Sequence, residues 1–276
     1  MKRFAAILLL AGCAYVPDPH AHDGDIVDDI WSFYAEGVDD AEVSVALVKD
    51  GEPFFAGDPK AIYRLGSLTD FFVLEAARRI AGRGEIDLDR PLTAFARFAL
   101  DPLYGRITMR ELAELRSEPV DSDSSLAFLA ERFPWSADAR TALFTALLED
   151  AVGKPVEEIV RDEIALPLML RETSFTPSAD KLPRVAARGK GLNGLYSSVE
   201  DCVKFFASTE RHRESALLSH RKIRGSAFDY VIGQVRGGRR FLAYPAGGRD
   251  FLLVFRNVTS WSQYKDFEFA SEVFAP

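Results

Sequence analysis

The chain has little sulfur, little histidine and no long apolar run beyond its first residues. Only two cysteines occur in 276 residues, Cys13 and Cys202. A framework of several disulfides is therefore excluded. Of the four histidines, His20 and His22 precede Asp23 in a stretch rich in Pro and Asp. Two imidazoles and an acid on a flexible tether have no pre-set geometry, so no metal centre and no cofactor are expected. No segment after the first ten residues is apolar and long enough to cross a bilayer. Basic charge is also short: 34 Lys and Arg stand against 42 Asp and Glu, a net −8. An acidic chain argues against nucleic acid as a partner.

What is present begins at the N-terminus. Lys2 and Arg3 precede an apolar run over 4–10, then Leu10-Ala11-Gly12-Cys13. A basic start, a short apolar stretch and small residues at the cut are the layout of a secretory signal. The last four residues resemble the bacterial lipobox. That resemblance implies cleavage before Cys13 and acyl chains on its sulfur, with 1–12 as signal and 13–24 as lipidated tether. Losing Lys2 and Arg3 takes the charge from −8 to −10. Each buried methylene contributes about 0.8 kcal/mol, so two or more chains anchor stably. The expected address is the cell envelope, lipid-anchored to a membrane. Ala14, not an acid, follows Cys13, which by the enteric sorting rule implies the outer membrane, facing the periplasm. With Cys13 acylated, Cys202 has no internal partner and reads as a small buried residue on a helix.

Beyond the tether, residues 25–36 show helical apolar spacing through Ile26, Ile30, Phe33 and Tyr34. Apolar runs at 43–48 and 53–56 flank Asp50-Gly51, a hairpin signal. A short strand over 62–65 leads to Gly66-Ser67. A helix is predicted over 67–83, with Leu68, Phe71, Phe72, Ala76 and Ile80 inward and Gly82 and Gly84 at its end. Helical patterning then dominates to about residue 182, at 126–131, 139–152 and 156–168. A further helix is predicted over 200–208. Residues 211–224 are basic and read as a solvated loop. Strands follow at 230–235, 241–244 and 251–255, with turns at Gly237-Gly238 and Gly247-Gly248. The tail from Tyr264 onward is unassigned. Strands at both ends and helices between predict an α+β fold. Its sheet lobe would be 25–90 with 184–276, and its helical lobe 91–183.

The order of parts resembles the serine β-lactamases and penicillin-binding proteins, nearest the class C β-lactamase and esterase branch. The matching pieces are VSVALVKDG at 43–51, YRLGSLT at 63–69, GEIDLDRP at 84–91 and ITMREL at 107–112. They continue with GKP at 153–155, LPLM at 166–169, TSF at 173–175 and GLYSSVED at 194–201. The resemblance spans roughly 40–255 and implies a β-lactamase/DD-peptidase-like fold.

It also implies an acyl-accepting serine with a lysine one turn later, on the same helix face. The serine position is Ser67. The lysine position is Asp70, whose carboxylate opposes alkoxide formation and the developing oxyanion. The implied Tyr-x-Asn motif falls on Ser136-Ala137-Asp138, without the tyrosine. The implied Lys/His-containing strand motif falls on Pro245-Ala246-Gly247-Gly248, without the cation. The implied His-Thr-Ser-Gly motif has become 115–118, LRSE. Ser67 is then expected to be a vestigial nucleophile acting as an N-cap-like residue. The expected pocket is lined by Asp70, Asp138, Gly247, Gly248 and Arg249, with Arg249 placed to pair with Asp70, and its ligand is expected to be neutral or an amine. The expected role is binding a cell-wall component such as peptidoglycan, or an envelope protein. The alternative is an active serine hydrolase of esterase or peptidase/β-lactamase type, with Ser67 as nucleophile.

Overall fold

The computed structural model describes residues 23–36, 42–98, 100, 102–114, 139–177, 194–208, 217–235, 238–257 and 263–275. Helix α1 (Asp23–Ala35) opens it. The helix begins inside the expected tether, because Asp23 is buried and its carboxylate accepts from Lys49 Nζ at 2.7 Å. Next come β1 (Val43–Lys49) and β2 (Glu52–Gly57). They form the predicted hairpin, and the turn residues Asp50 and Gly51 both have positive φ, 51° and 87°. β3 (Ile62–Arg64), a tight turn over Gly66–Leu68, and α2 (Thr69–Gly82) follow.

α3 (Met109–Ala113) starts in the ITMREL motif for a local reason. Thr108 Oγ1 accepts from Glu111 N at 3.1 Å, and the Glu111 carboxylate accepts from Thr108 N at 2.8 Å. These reciprocal bonds satisfy two donors that a helix start leaves open. α4 (Ala139–Val152) matches the predicted span, while α5 (Val156–Val160) passes into a wider helical turn at Arg161–Ala165. β4 (Tyr196–Ser198) pairs with β3, and α6 (Val199–Ala207) continues from it. β5 (Ser219–Ile223), β6 (Ser226–Val235), β7 (Gly238–Pro245), β8 (Phe251–Arg256) and α7 (Gln263–Val273) complete the described chain.

The main sheet is antiparallel with strand order β2-β1-β8-β7-β6-β5. Both chain ends therefore build it, as the sequence pattern predicts. Alternation along β1 divides its residues between two apolar layers. Val43, Val45 and Leu47 face a layer covered by α1 and α7, together with Phe241, Ala243, Leu252 and Val254. Ala46 and Val48 face the other layer, with Leu242, Leu253, Phe255, α2, α4, α5 and α6. Covered faces on both sides explain why these strands read as unbroken apolar runs. α2 is buried nearly all round, including Phe71, Phe72, Leu74, Ala76, Ala77 and Ile80. A helix covered on nearly every side belongs inside such a layer, with Glu75 paired to Arg79 where its polar residues fall. Cys202 is fully buried on α6, and burial pushes its thiol pKa well up, which leaves it unreactive.

Two expectations need correction. Part of the basic segment is a strand: β5 forms the edge of the sheet. Arg221 on this strand is stacked on the Phe267 ring at 4.1 Å, and Arg224, just beyond it, is bonded to Glu268 at 3.2 Å. The unassigned tail forms α7, which closes the outer layer through Phe267 and Ala270. The predicted helix over 126–131 lies outside the described residues.

Candidate functional site

Ser67 is the middle residue of the tight turn that runs into α2, and it is half-buried. Two glycines set its distance from the sheet. Gly66 has φ +59°, and a Cβ there would lie 2.7 Å from Gln234 O. A Cβ on Gly233 would lie 2.5 Å from Leu65 O. The end of β6 and the backbone before Ser67 thus approach closer than side chains would permit. A glycine inside a strand pattern is a sequence signal for such an approach, and Gly233 was the residue that carried it.

The N-cap positions are Leu65 for the turn and Leu68 for α2, and neither has a side-chain cap bond. The expectation that Ser67 acts as an N-cap is therefore corrected: its hydroxyl satisfies no helix donor. Among the described residues no side chain hydrogen-bonds to Ser67 Oγ. Asp70 lies one turn later, on the same face, and is 2 % exposed. A carboxylate in a first helical turn complements the partial positive charge of the helix start. Asp70 is engaged within the protein.

The other expected pocket residues are placed as follows among the described residues. Gly66 touches Gln234 and Val235, which pair with Arg239 and Gly238 at the start of β7. Pro245 ends β7, six residues beyond Arg239, roughly 20 Å along the strand. Gly247, Gly248 and the exposed Arg249 follow Pro245 in the turn to β8. That turn lies beside the β1–β2 turn, where Asp250 Oδ1 accepts from Asp50 N at 2.9 Å. The strand flanking Ser67 is β6, where Val231, Ile232, Gly233, Gln234 and Val235 include no cation. β7 pairs with β6 up to Val235, whereas β5 pairs only as far as Tyr230. The outer edge of 231–235 therefore carries no paired strand among the described residues. Asp138, with Ser136, the 115–118 segment and Cys13, lies outside the described residues.

Two arginines near the site were not singled out from sequence. Arg240, fully buried on β7, donates from Nε to Arg64 O at 2.9 Å and from Nη2 to Asn257 Oδ1 at 2.8 Å. Its Nη1 donates to the carbonyls of Arg239 and Arg256. The guanidinium lies over the Tyr63 ring at 4.8 Å. Burial pulls its pKa down to about 9. Arg240 thus fastens the end of β3, three residues before Ser67, to the sheet. Arg64 itself is 6 % exposed, and burial lowers its pKa. An isolated cation between Tyr63 and Leu65 gives no sequence signal of burial.

Among known proteins, a family model described as Beta-lactamase matches residues 34–250. The D-alanyl-D-alanine-carboxypeptidase/endopeptidase AmpH of Escherichia coli strain K12 is 27 % identical over 184 residues, covering 52 % of this chain. The chain spans about half the length of the curated relatives it matches, 48 % for AmpH. A class C beta lactamase from Rhodobacter sphaeroides superposes with TM-score 0.70 at 12 % identity, over 91 % of this chain and 100 % of the other. A beta-lactamase/D-alanine carboxypeptidase from Yersinia pestis gives 0.69 at 15 %, over 93 % and 99 %. A D-amino acid amidase from Ochrobactrum anthropi gives 0.66 at 18 %, over 90 % and 97 %. These likenesses establish the β-lactamase/DD-peptidase-like fold, with an antiparallel sheet flanked by helices.

Proposed function

The chain belongs to the beta-lactamase family, and we propose that it serves as a non-acylating binding protein of the cell envelope. The observation that supports this most is the buried carboxylate of Asp70 one turn from Ser67. Acyl transfer from a serine needs a base to take the hydroxyl proton and positive charge to stabilise the oxyanion. A carboxylate near Ser67 raises the cost of both charges. No described side chain hydrogen-bonds to the hydroxyl in place of a base. Among the described residues the edge of β6 at 231–235 carries no paired strand, which suits an extended ligand that would gain main-chain hydrogen bonds there. The proposed ligand is a cell-wall component or a segment of an envelope protein.

The test is covalent. The purified chain is treated with a fluorophosphonate and with a fluorescent penicillin, and its intact mass is measured. No adduct on Ser67 is expected. A stoichiometric adduct would establish the alternative, an active hydrolase of esterase or peptidase/β-lactamase type. That alternative has one observation in its favour: the Ser67 hydroxyl is half-buried and holds no helix cap. The membrane attachment is proposed to be lipid on Cys13. Labelled fatty acid should be incorporated by the wild-type chain and not by Cys13→Ser, and retention of label in Cys13→Ser refutes it.

A further inference from the structure

We propose that the cleft between the 166–172 turn and α6 is a second binding site, taking a free amino acid with an apolar side chain. The cleft has a volume of about 340 Å³. Its cations are Lys60, Arg171 and Lys204, and its acids are Glu172, Glu200 and Asp201. These formal charges cancel, so the cleft favours neither a simple anion nor a simple cation. A ligand carrying both signs meets both sets. Leu168 and Met169 supply the apolar part of the wall. The cleft lies away from Ser67. Lys60 precedes β3, whose other end leads to Ser67, and Glu200 N donates to Pro59 O at 3.0 Å.

The floor of the cleft is fixed. Asp201 is 2 % exposed, and its carboxylate accepts from Glu172 N at 2.7 Å and from Thr173 Oγ1 at 3.0 Å. It thereby ties the turn to α6. Lys204 Nζ bridges Glu200 at 2.8 Å and Asp201 at 3.4 Å. That ammonium holds the Glu200 carboxyl below its usual range, and the charges of Lys60 and Arg171 act in the same direction. Lys60 Nζ itself has no hydrogen-bond or ion-pair partner among the described residues. A ligand carboxylate can therefore meet Lys60 while the ligand ammonium meets Glu200.

Met169 gives an independent argument. Among the described residues, Asp50, Met169 and Arg224 are the non-glycine residues with positive φ. Asp50 and Arg224 stand in two-residue hairpin turns, which demand it. Met169 stands at a helix end, where its N donates to Leu166 O at 3.1 Å and Leu170 N donates to Ala165 O at 2.8 Å. Glycine is the usual residue at such a position. Met169 instead carries backbone strain and leaves its side chain 71 % exposed at the cleft. Strain held without burial points to a use outside the fold. A flexible thioether chain also adapts its shape to an apolar group.

The experiment follows thermal melting of the full chain with D-leucine and L-leucine, each at about 20 mM and matched ionic strength, enough to fill a millimolar site. Leucinamide lacks the carboxylate, N-acetylleucine lacks the ammonium and glycine lacks the apolar side chain. At least one leucine enantiomer should raise the wild-type Tm by about 2 °C or more, and each analogue should give less than about a third of that shift. Met169→Gly and Lys60→Gln, both at exposed positions, should each lose most of the leucine shift. No shift with either enantiomer, an equal shift with any analogue, or a full leucine shift in either variant would overturn the site. In Ser67→Ala the shift should persist. Its loss there would move the leucine to the Ser67 region and overturn the site as well. Labelling of Ser67 by penicillin bears on the other proposal alone.

Discussion

Replacing Arg240 by Met should cost about 4 kcal/mol of folding stability. The guanidinium serves four acceptors, the carbonyls of Arg64, Arg239 and Arg256 and the Asn257 side chain. Hydrogen bonds to charged groups contribute about 1.5–3 kcal/mol each, and three of the four acceptors stay orphaned in the interior. Against this stands the penalty for holding a charge in the interior. Burial disfavours the charged form and offsets part of that loss. Methionine escapes that penalty and fills part of the space, which leaves the net loss near 4 kcal/mol. Three of the orphaned acceptors are backbone carbonyls, so no second side-chain change can remove them. Arg240→Lys should lose about 2 kcal/mol, since one ammonium cannot span carbonyls from three strands. Urea unfolding followed by tryptophan fluorescence measures both. Hydrogen exchange should also quicken at the amides of 65–68, because Arg64 O loses its tie to the sheet. A loss below about 1 kcal/mol for Arg240→Met would refute the reasoning, since it would mean that burial cost and hydrogen bonding cancel.

Asp266→Asn should lose about 3–5 kcal/mol, because Asp266 accepts from Arg256 and from Tyr34 Oη, both at 2.7 Å, and all three are buried. Urea midpoints check this, with an unchanged midpoint counting against it. Tyr63 predicts alkaline sensitivity. Burial raises its folded pKa from 10.0 to about 12, so its stabilising effect is complete below pH 10 and is lost as pH rises toward 12. The full loss is about 2.7 kcal/mol, and Tyr63→Phe should flatten the stability profile between pH 9.5 and 11.5 by about that scale. A profile equally steep in both proteins would contradict it. Met169 is 71 % exposed with φ 53°, so Met169→Gly should stabilise by about 0.5–1 kcal/mol in the same assay. Destabilisation instead would show that the Met side chain is held by contacts that outweigh the backbone strain.

The sheet was legible because its strands are buried on both faces. Runs such as VSVALV and FLLVF have no polar residue facing solvent, and the Asp50-Gly51 turn fixes the register of the first pair. α2 was legible for the same reason, and its five predicted inward residues are all buried. β5 was not legible, since SHRKI offers no apolar alternation. It is a strand through tertiary partners, β6 on one side and Phe267 of α7 beneath Arg221. α7 was obscure because its ties are tertiary, Asp266 to Tyr34 across 232 positions and to Arg256 across ten, and sequence spacing does not reveal them. At the site, Ser67 and Asp70 were placed correctly one turn apart by counting along a helix. The strand motif was misplaced because a turn with two glycines, 247–248, drew it to the far end of β7. The contact that decides the matter, Gly233 against Leu65, joins residues 168 positions apart.

The site and the fold answer to different physical demands. The large stabilising devices, Arg240 with its carbonyls and Arg256 with Asp266, lie in the sheet or on its outer face. None of them uses the side chain of Ser67 or Asp70. Asp70 is nonetheless buried and engaged within the protein, at a helix start that favours a carboxylate.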